Sequence, residues 1–145
     1  MEGTKTLLVI RHAKSSWDIG TLNDFERPLN ERGKKDAPVM AQKLLSKNIS
    51  IDAFVASPAK RAKKTAEFFI EAYKRDSEEI VFISKLYHAP AGVFFEVAES
   101  LDDQHNTVAI FSHNPGITEF VNMLADGVSL DNMPTCGIFA VHLQS

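Results

Sequence analysis

The apolar positions of the chain change period several times, and each change marks an element. "TLLVI" (6–10) is a continuous apolar run, which predicts a strand covered on both faces. Polar residues then lead to Asn30, a plausible N-cap, after which Ala37, Met40, Ala41, Leu44 and Leu45 recur at helical spacing. Pro38 inside that pattern predicts a kink or a restart of the helix nearby. "DAFVAS" (52–57) reads as a second strand. Ser57 then caps a helix with Pro58 at its first position, and Ala62, Ala66, Phe69, Ile70 and Tyr73 form its buried stripe.

"EIVFIS" (79–84) predicts a third strand, and a helix over 92–101 begins around Pro90. "TVAIFS" (107–112) is the fourth strand. Asn114 and Pro115 start a further helix with Ile117, Val121 and Leu124 inward, and "CGIFAVHL" (136–143) closes the chain as a strand. Strands alternating with helices predict an α/β fold: one three-layer α/β/α domain over residues 1–145, with a mostly parallel central sheet. There is no repeat, low-complexity tract or interdomain linker.

Composition narrows the partners. The 145 residues suit one domain; 44% are hydrophobic, 24% charged, and the net charge of -3 has neither a basic stripe nor an acidic tail. Nucleic acid and membrane are therefore not expected partners. No run approaches the ~18 apolar residues of a spanning helix, and the N-terminus is too poor in apolar residues for a signal peptide. Cys136 is the only cysteine, so no disulfide can form within the chain and a reducing, cytoplasmic location is expected.

Ligands in such sheets bind beyond the carboxyl ends of strands. Arg11 and His12 follow the first strand, Ser112 and His113 follow the fourth, and Arg61 lies one turn into the helix after the second. Two arginines and two histidines thus fall on one rim, where two helix N-termini add dipoles of the same sign. That set describes an anion site, most plausibly for phosphate. A metal fits poorly, because the arginines repel a cation and no third ligand is evident beside His12 and His113.

The segments "LLVIRHAK", "ASPAKRAKKTA" and "IFSHNPG" resemble the three signature segments of the histidine phosphatase superfamily, the phosphoglycerate-mutase-like or RHG group. "RHAKSSWD" followed by "DFERPLNERGKKDAP" resembles the small SixA-type branch, named for phosphohistidine phosphatases. The resemblance implies that His12 is a nucleophile that becomes phosphorylated. It implies that Arg11 and Arg61 bind the phosphoryl oxygens and that His113 donates to them in the transition state. It also implies a cofactor-independent reaction with inorganic phosphate as product. The substrate it favours is a phosphohistidine on a signalling protein. The rivals are a small phosphorylated metabolite, a mutase reaction, or a non-catalytic phosphate-binding scaffold. Short connections leave no room for the lid insertion of larger relatives.

Two departures stand out. Ala13 replaces the family's usual glycine after the nucleophile. Where larger relatives place an acidic glutamate, this chain reads "KLYHAPAG", with Tyr87 and His88 but no carboxylate. Asp24 is the first candidate for the general acid, followed by Asp18, with His88 and Tyr87 as further ones. Arg27 either binds phosphate or braces its loop through a salt bridge. Trp17 and Phe25 either touch substrate or pin that loop. Lys14 and the lysines of "KRAKK" are expected on solvated surface, and His105 and His142 have no role.

Overall fold

A computed structural model describes residues 4–16, 23–100, 106–124 and 133–144. Five strands form one sheet: β1 (Thr4–Arg11), β2 (Ala53–Ala56), β3 (Val81–Phe82), β4 (Thr107–Ser112) and β5 (Ile138–Gln144). Four helices accompany them: α1 (Glu31–Ser46), α2 (Lys60–Ala72), α3 (Ala91–Ser100) and α4 (Gly116–Leu124). The spatial order is β3-β2-β4-β1-β5, parallel throughout except that β5 runs antiparallel to β1. Trp17, Asp18 and His105 lie outside the described residues.

β1 shows why its apolar run is unbroken. Leu8 and Ile10 face a core shared with α1 and α2, whereas Leu7 and Val9 face a second core shared with α3 and α4. Each side chain from Leu7 to Ile10 is at most 1% exposed, as expected for a strand sandwiched between helix layers. On one side Phe69 of α2 packs edge-on against Phe111 of β4, with ring centroids 5.1 Å apart. Burying a side chain of this size contributes roughly 1.5–3 kcal/mol. The α/β/α layering therefore agrees with the alternation of periods along the sequence.

Several boundaries differ from expectation. α1 begins after Asn30, whose side chain accepts from the Gly33 N–H, but Pro38 neither ends nor restarts it. Ala37 and Ala41 are fully buried on one face, while Pro38 is half-buried and Val39 exposed. The packed face holds the helix through the one hydrogen bond that proline cannot make. α2 starts at Lys60 rather than Pro58, and Ser57 is not its cap. Tyr73 falls just past the end of α2, and its hydroxyl donates to the Ile49 carbonyl at 2.7 Å. β3 shrinks to two residues, both exposed, at the edge of the sheet. β5 begins two residues late, because Cys136 adopts a left-handed turn (φ 58°) whose N–H donates to the His12 carbonyl.

Gly33 carries a requirement of position. A Cβ there would come within 2.1 Å of the Lys14 carbonyl oxygen, so the first turn of α1 lies directly against the chain that follows His12. α1 therefore backs the segment on which the candidate nucleophile sits.

Candidate active site

The register of the sheet brings the histidines together. Arg11 at the end of β1 pairs with Ser112 at the end of β4, so His12 and His113 leave neighbouring parallel strands side by side. The His12 N–H donates to the Ser112 carbonyl at 3.1 Å, and the two rings lie 5.2 Å apart between centroids. β2 ends beside β4, and the first turn of α2 delivers Arg61, only 4% exposed, to the same rim. Thr65, one turn further, accepts from the Ala13 N–H at 2.9 Å and donates to the Arg61 carbonyl at 2.8 Å. It ties the backbone just after His12 to the helix that carries the arginine. Ala13 is buried and is not among the described residues with positive φ, so a side chain is tolerated there.

A cavity of about 320 Å³ is lined by Arg11, His12, Asp24, Arg27, Arg61 and His113, with Lys14, Ser15, His88, Asn114 and Thr135 completing the wall. His12 is 6% exposed, and its Nδ1 lies 2.7 Å from the Ala13 carbonyl oxygen. A carbonyl can only accept, so Nδ1 carries the proton and Nε2 holds a free lone pair. Burial, followed by the charges of Arg61, Arg11 and Arg27, lowers the His12 pKa from 6.5 to about 4, against the opposing Ala13 hydrogen bond. His113, across the cavity, follows the same rule. Burial, then the charges of His12 and Arg61, push its pKa from 6.5 to about 2. Both rings are therefore neutral at ordinary pH.

Asp24 occupies the mouth of the cavity in a short 3-10 turn (Asp24–Glu26). Its Oδ2 accepts from Arg61 Nη2 at 2.9 Å and from the Tyr87 hydroxyl at 2.6 Å, and its Oδ1 accepts from Arg27 Nη2 at 3.0 Å. Its backbone carbonyl takes the other terminal nitrogen of Arg61 at 2.6 Å. Burial works to raise the Asp24 carboxyl, but the bonds from Tyr87, Arg27 and Arg61 outweigh it and hold the group well below the usual carboxylate range. Asp24 is thus a carboxylate in this state and accepts hydrogen bonds. His88 is 70% exposed, with Nε2 3.9 Å from the same carboxylate oxygen.

The structure brings Arg11, His12, Asp24, Arg27, Arg61 and His113 to one cavity, with Tyr87 in contact through Asp24. Arg27 does brace its loop, bonding Asp24 and the Ser15 hydroxyl, while also lining the cavity. Phe25 packs edge-on against Tyr87 at 5.1 Å, which pins the turn. Arg11 donates to the Met133 carbonyl at 2.8 Å. Arg11 Nε, Arg61 Nε and His113 Nδ1 are buried with no hydrogen-bond partner among the described residues. Sequence reasoning missed Thr65 and Ser15 and read Ser57 as a helix cap. The Ser57 hydroxyl instead lies 2.8 Å from His113 Nε2. A signal existed for Thr65, a hydroxyl one helical turn after Arg61. Among the described residues, no group of three or more histidine, cysteine or acidic side chains could hold a metal ion, and no helix is long and apolar enough to cross a membrane.

The model of the histidine phosphatase superfamily (branch 1) matches residues 7–86. An uncharacterised chloroplastic protein of Arabidopsis thaliana is 29% identical over 141 residues, covering 92% of this chain and 64% of the relative. The chain thus spans less than two thirds of that relative's length. Phosphoserine phosphatase 1 of Hydrogenobacter thermophilus is 40% identical over 68 residues, 46% of this chain and 31% of the relative. Among solved structures, a candidate phosphohistidine phosphatase SixA from Agrobacterium tumefaciens superposes with a TM-score of 0.84 at 22% identity, covering 96% of this chain and 91% of the other. The protein histidine phosphatase SixA complexed with tungstate gives 0.83 at 23% identity, covering 94% and 86%. Both establish likeness of fold.

Proposed function

The chain belongs to the histidine phosphatase superfamily, and from that premise we propose that it is a metal-independent phosphatase working through a phosphohistidine on His12. The observation that carries this reading is the neutral His12, its Nε2 lone pair free, in a cavity where Arg11 Nε, Arg61 Nε and His113 Nδ1 lack acceptors among the described residues. A phosphoryl group supplies oxygens to such nitrogens. In the first step Nε2 forms a bond to phosphorus as the bond to the leaving group breaks, and the leaving group keeps the electron pair. In the second step water attacks phosphorus, the P–Nε2 bond breaks, and the water's proton passes to a base. Holding the phosphoryl group in line is most of what a protein contributes to this transfer.

The substrate favoured is a phosphohistidine on a signalling protein, in a cytoplasmic setting. The support is chemical. Asp24 is ionised and committed to Arg61, Arg27 and Tyr87, so it holds no proton to give to a leaving group in the first step. An alkoxide needs that donor, whereas an imidazole with an ordinary pKa of ~6.5 leaves near neutral pH with solvent's help. The partial-length likeness to a phosphoserine phosphatase favours the alternative, a small-molecule phosphomonoesterase. A panel of phosphohistidine, phosphoaspartate, aryl-phosphate and sugar-phosphate substrates at one pH separates them. Efficient hydrolysis of a sugar phosphate with phosphohistidine ignored would overturn the favoured substrate.

A further inference from the structure

Ser57 sits at the end of β2 with no exposed surface. Its hydroxyl oxygen accepts from the Ala59 N–H at 3.2 Å and meets His113 Nε2 at 2.8 Å. A hydroxyl has one proton to give, and among the described residues no other acceptor lies within reach of this one. If His113 donated through Nε2, the buried Ser57 proton would have no partner, at the cost of an unmade hydrogen bond. The satisfied arrangement has Ser57 donating to Nε2, which puts the imidazole proton of neutral His113 on Nδ1. That nitrogen is buried and lacks a partner among the described residues, and His113 lines the cavity.

We propose that Ser57 is a positioning residue that fixes His113 as the Nδ1–H tautomer, making it an uncharged hydrogen-bond donor to the phosphoryl oxygens. The inference rests on the reading of the cavity as a phosphoryl-transfer site. It gives the two neighbouring histidines one tautomer and opposite tasks. His12 spends its Nδ1–H on the Ala13 carbonyl and offers a lone pair. His113 spends its Nε2 lone pair on Ser57 and offers a proton. No second positive charge is needed beside the nucleophile, so the donor does not draw the His12 lone pair away from phosphorus.

The experiment is a two-bond proton–nitrogen NMR spectrum of the free protein, which reports tautomers without turnover. The expected result is a pyrrole-like Nδ1 and a pyridine-like Nε2 for His113. A pyrrole-like Nε2 overturns the proposal, whatever the protein's activity. Ser57→Ala should give a mixture of tautomers and lower kcat by about 10- to 100-fold with KM changed little, as when a partner that orients a catalytic imidazole is removed. Ser57→Thr, which keeps the hydroxyl, should restore the tautomer and most of kcat. An unchanged His113 spectrum in Ser57→Ala, or unchanged kcat with only a lower Tm, would also overturn it. Absence of phosphatase turnover in the unaltered protein would remove the functional reading instead, leaving the tautomer to be decided by the spectrum.

Discussion

Acid should destabilise this protein through His12, by an amount that follows from its burial. The ring is 6% exposed, and its pKa falls from 6.5 to about 4 on folding. Between those values the unfolded chain binds a proton that the folded chain refuses, so stability is lost as pH falls through that window. Above 6.5 neither state is protonated at His12, and the contribution is constant. Between about pH 7.5 and about pH 5 the linkage relation gives a loss of ~2 kcal/mol from this one residue. His113, also depressed, acts in the same direction. Urea unfolding at both pH values, in the parent and in His12→Gln, isolates the term: the variant should lose roughly 2 kcal/mol less on acidification. Equal losses in the two proteins, or an NMR titration of His12 centred near 6.5, would refute the reasoning.

Rapid quenching with labelled substrate should trap an acid-labile, base-stable phosphoprotein in the parent, and His12→Ala should abolish both label and turnover; undiminished turnover would sink the mechanism. Arg61→Ala should weaken tungstate binding and slow chemistry by roughly 10²-fold or more, as for loss of a charged transition-state donor; a lower Tm with normal kinetics would mark Arg61 as structural. Asp24→Asn should tighten tungstate binding by up to about fivefold, since a partly exposed ion pair of up to ~1 kcal/mol no longer competes for Arg61; weaker binding would show that Asp24 helps to build the anion site. Activity should survive exhaustive chelation, because guanidinium groups line the cavity; loss restored by zinc or magnesium would contradict this.

The parts of the fold that sequence foretells are those where packing and period agree. β1 and β4 are buried on both faces, and their apolar runs have no competing helical reading. "EIVFIS" reads as equally strand-like, yet at the sheet edge only Val81 and Phe82 pair, because one neighbour supplies one ladder. Arg11, His12, Arg61 and His113 are legible from their places at strand ends and helix starts. The ties of Asp24 to Arg61 and Tyr87 are not, since they span 37 and 63 residues of sequence and depend on tertiary placement. Ser57 misleads for a related reason: a serine before a proline looks like a cap, and only the register beside β4 shows its hydroxyl turned to His113.

The place of β1 between β4 and β5 has a consequence for how the site fails under stress. Its amides are laddered on both sides, so solvent exchange at Leu7–Ile10 requires opening of the sheet itself. The mount of His12 therefore exchanges only as the sheet opens. The Asp24–Glu26 turn has no buried residue and no ladder; side-chain bonds to Arg61, Arg27 and Tyr87 and the Phe25–Tyr87 contact hold it, and these can break while the sheet stays intact. Mild denaturant would then release the carboxylate from Arg61 while His12 stays in register, and the histidine would be displaced only when the sheet itself opens.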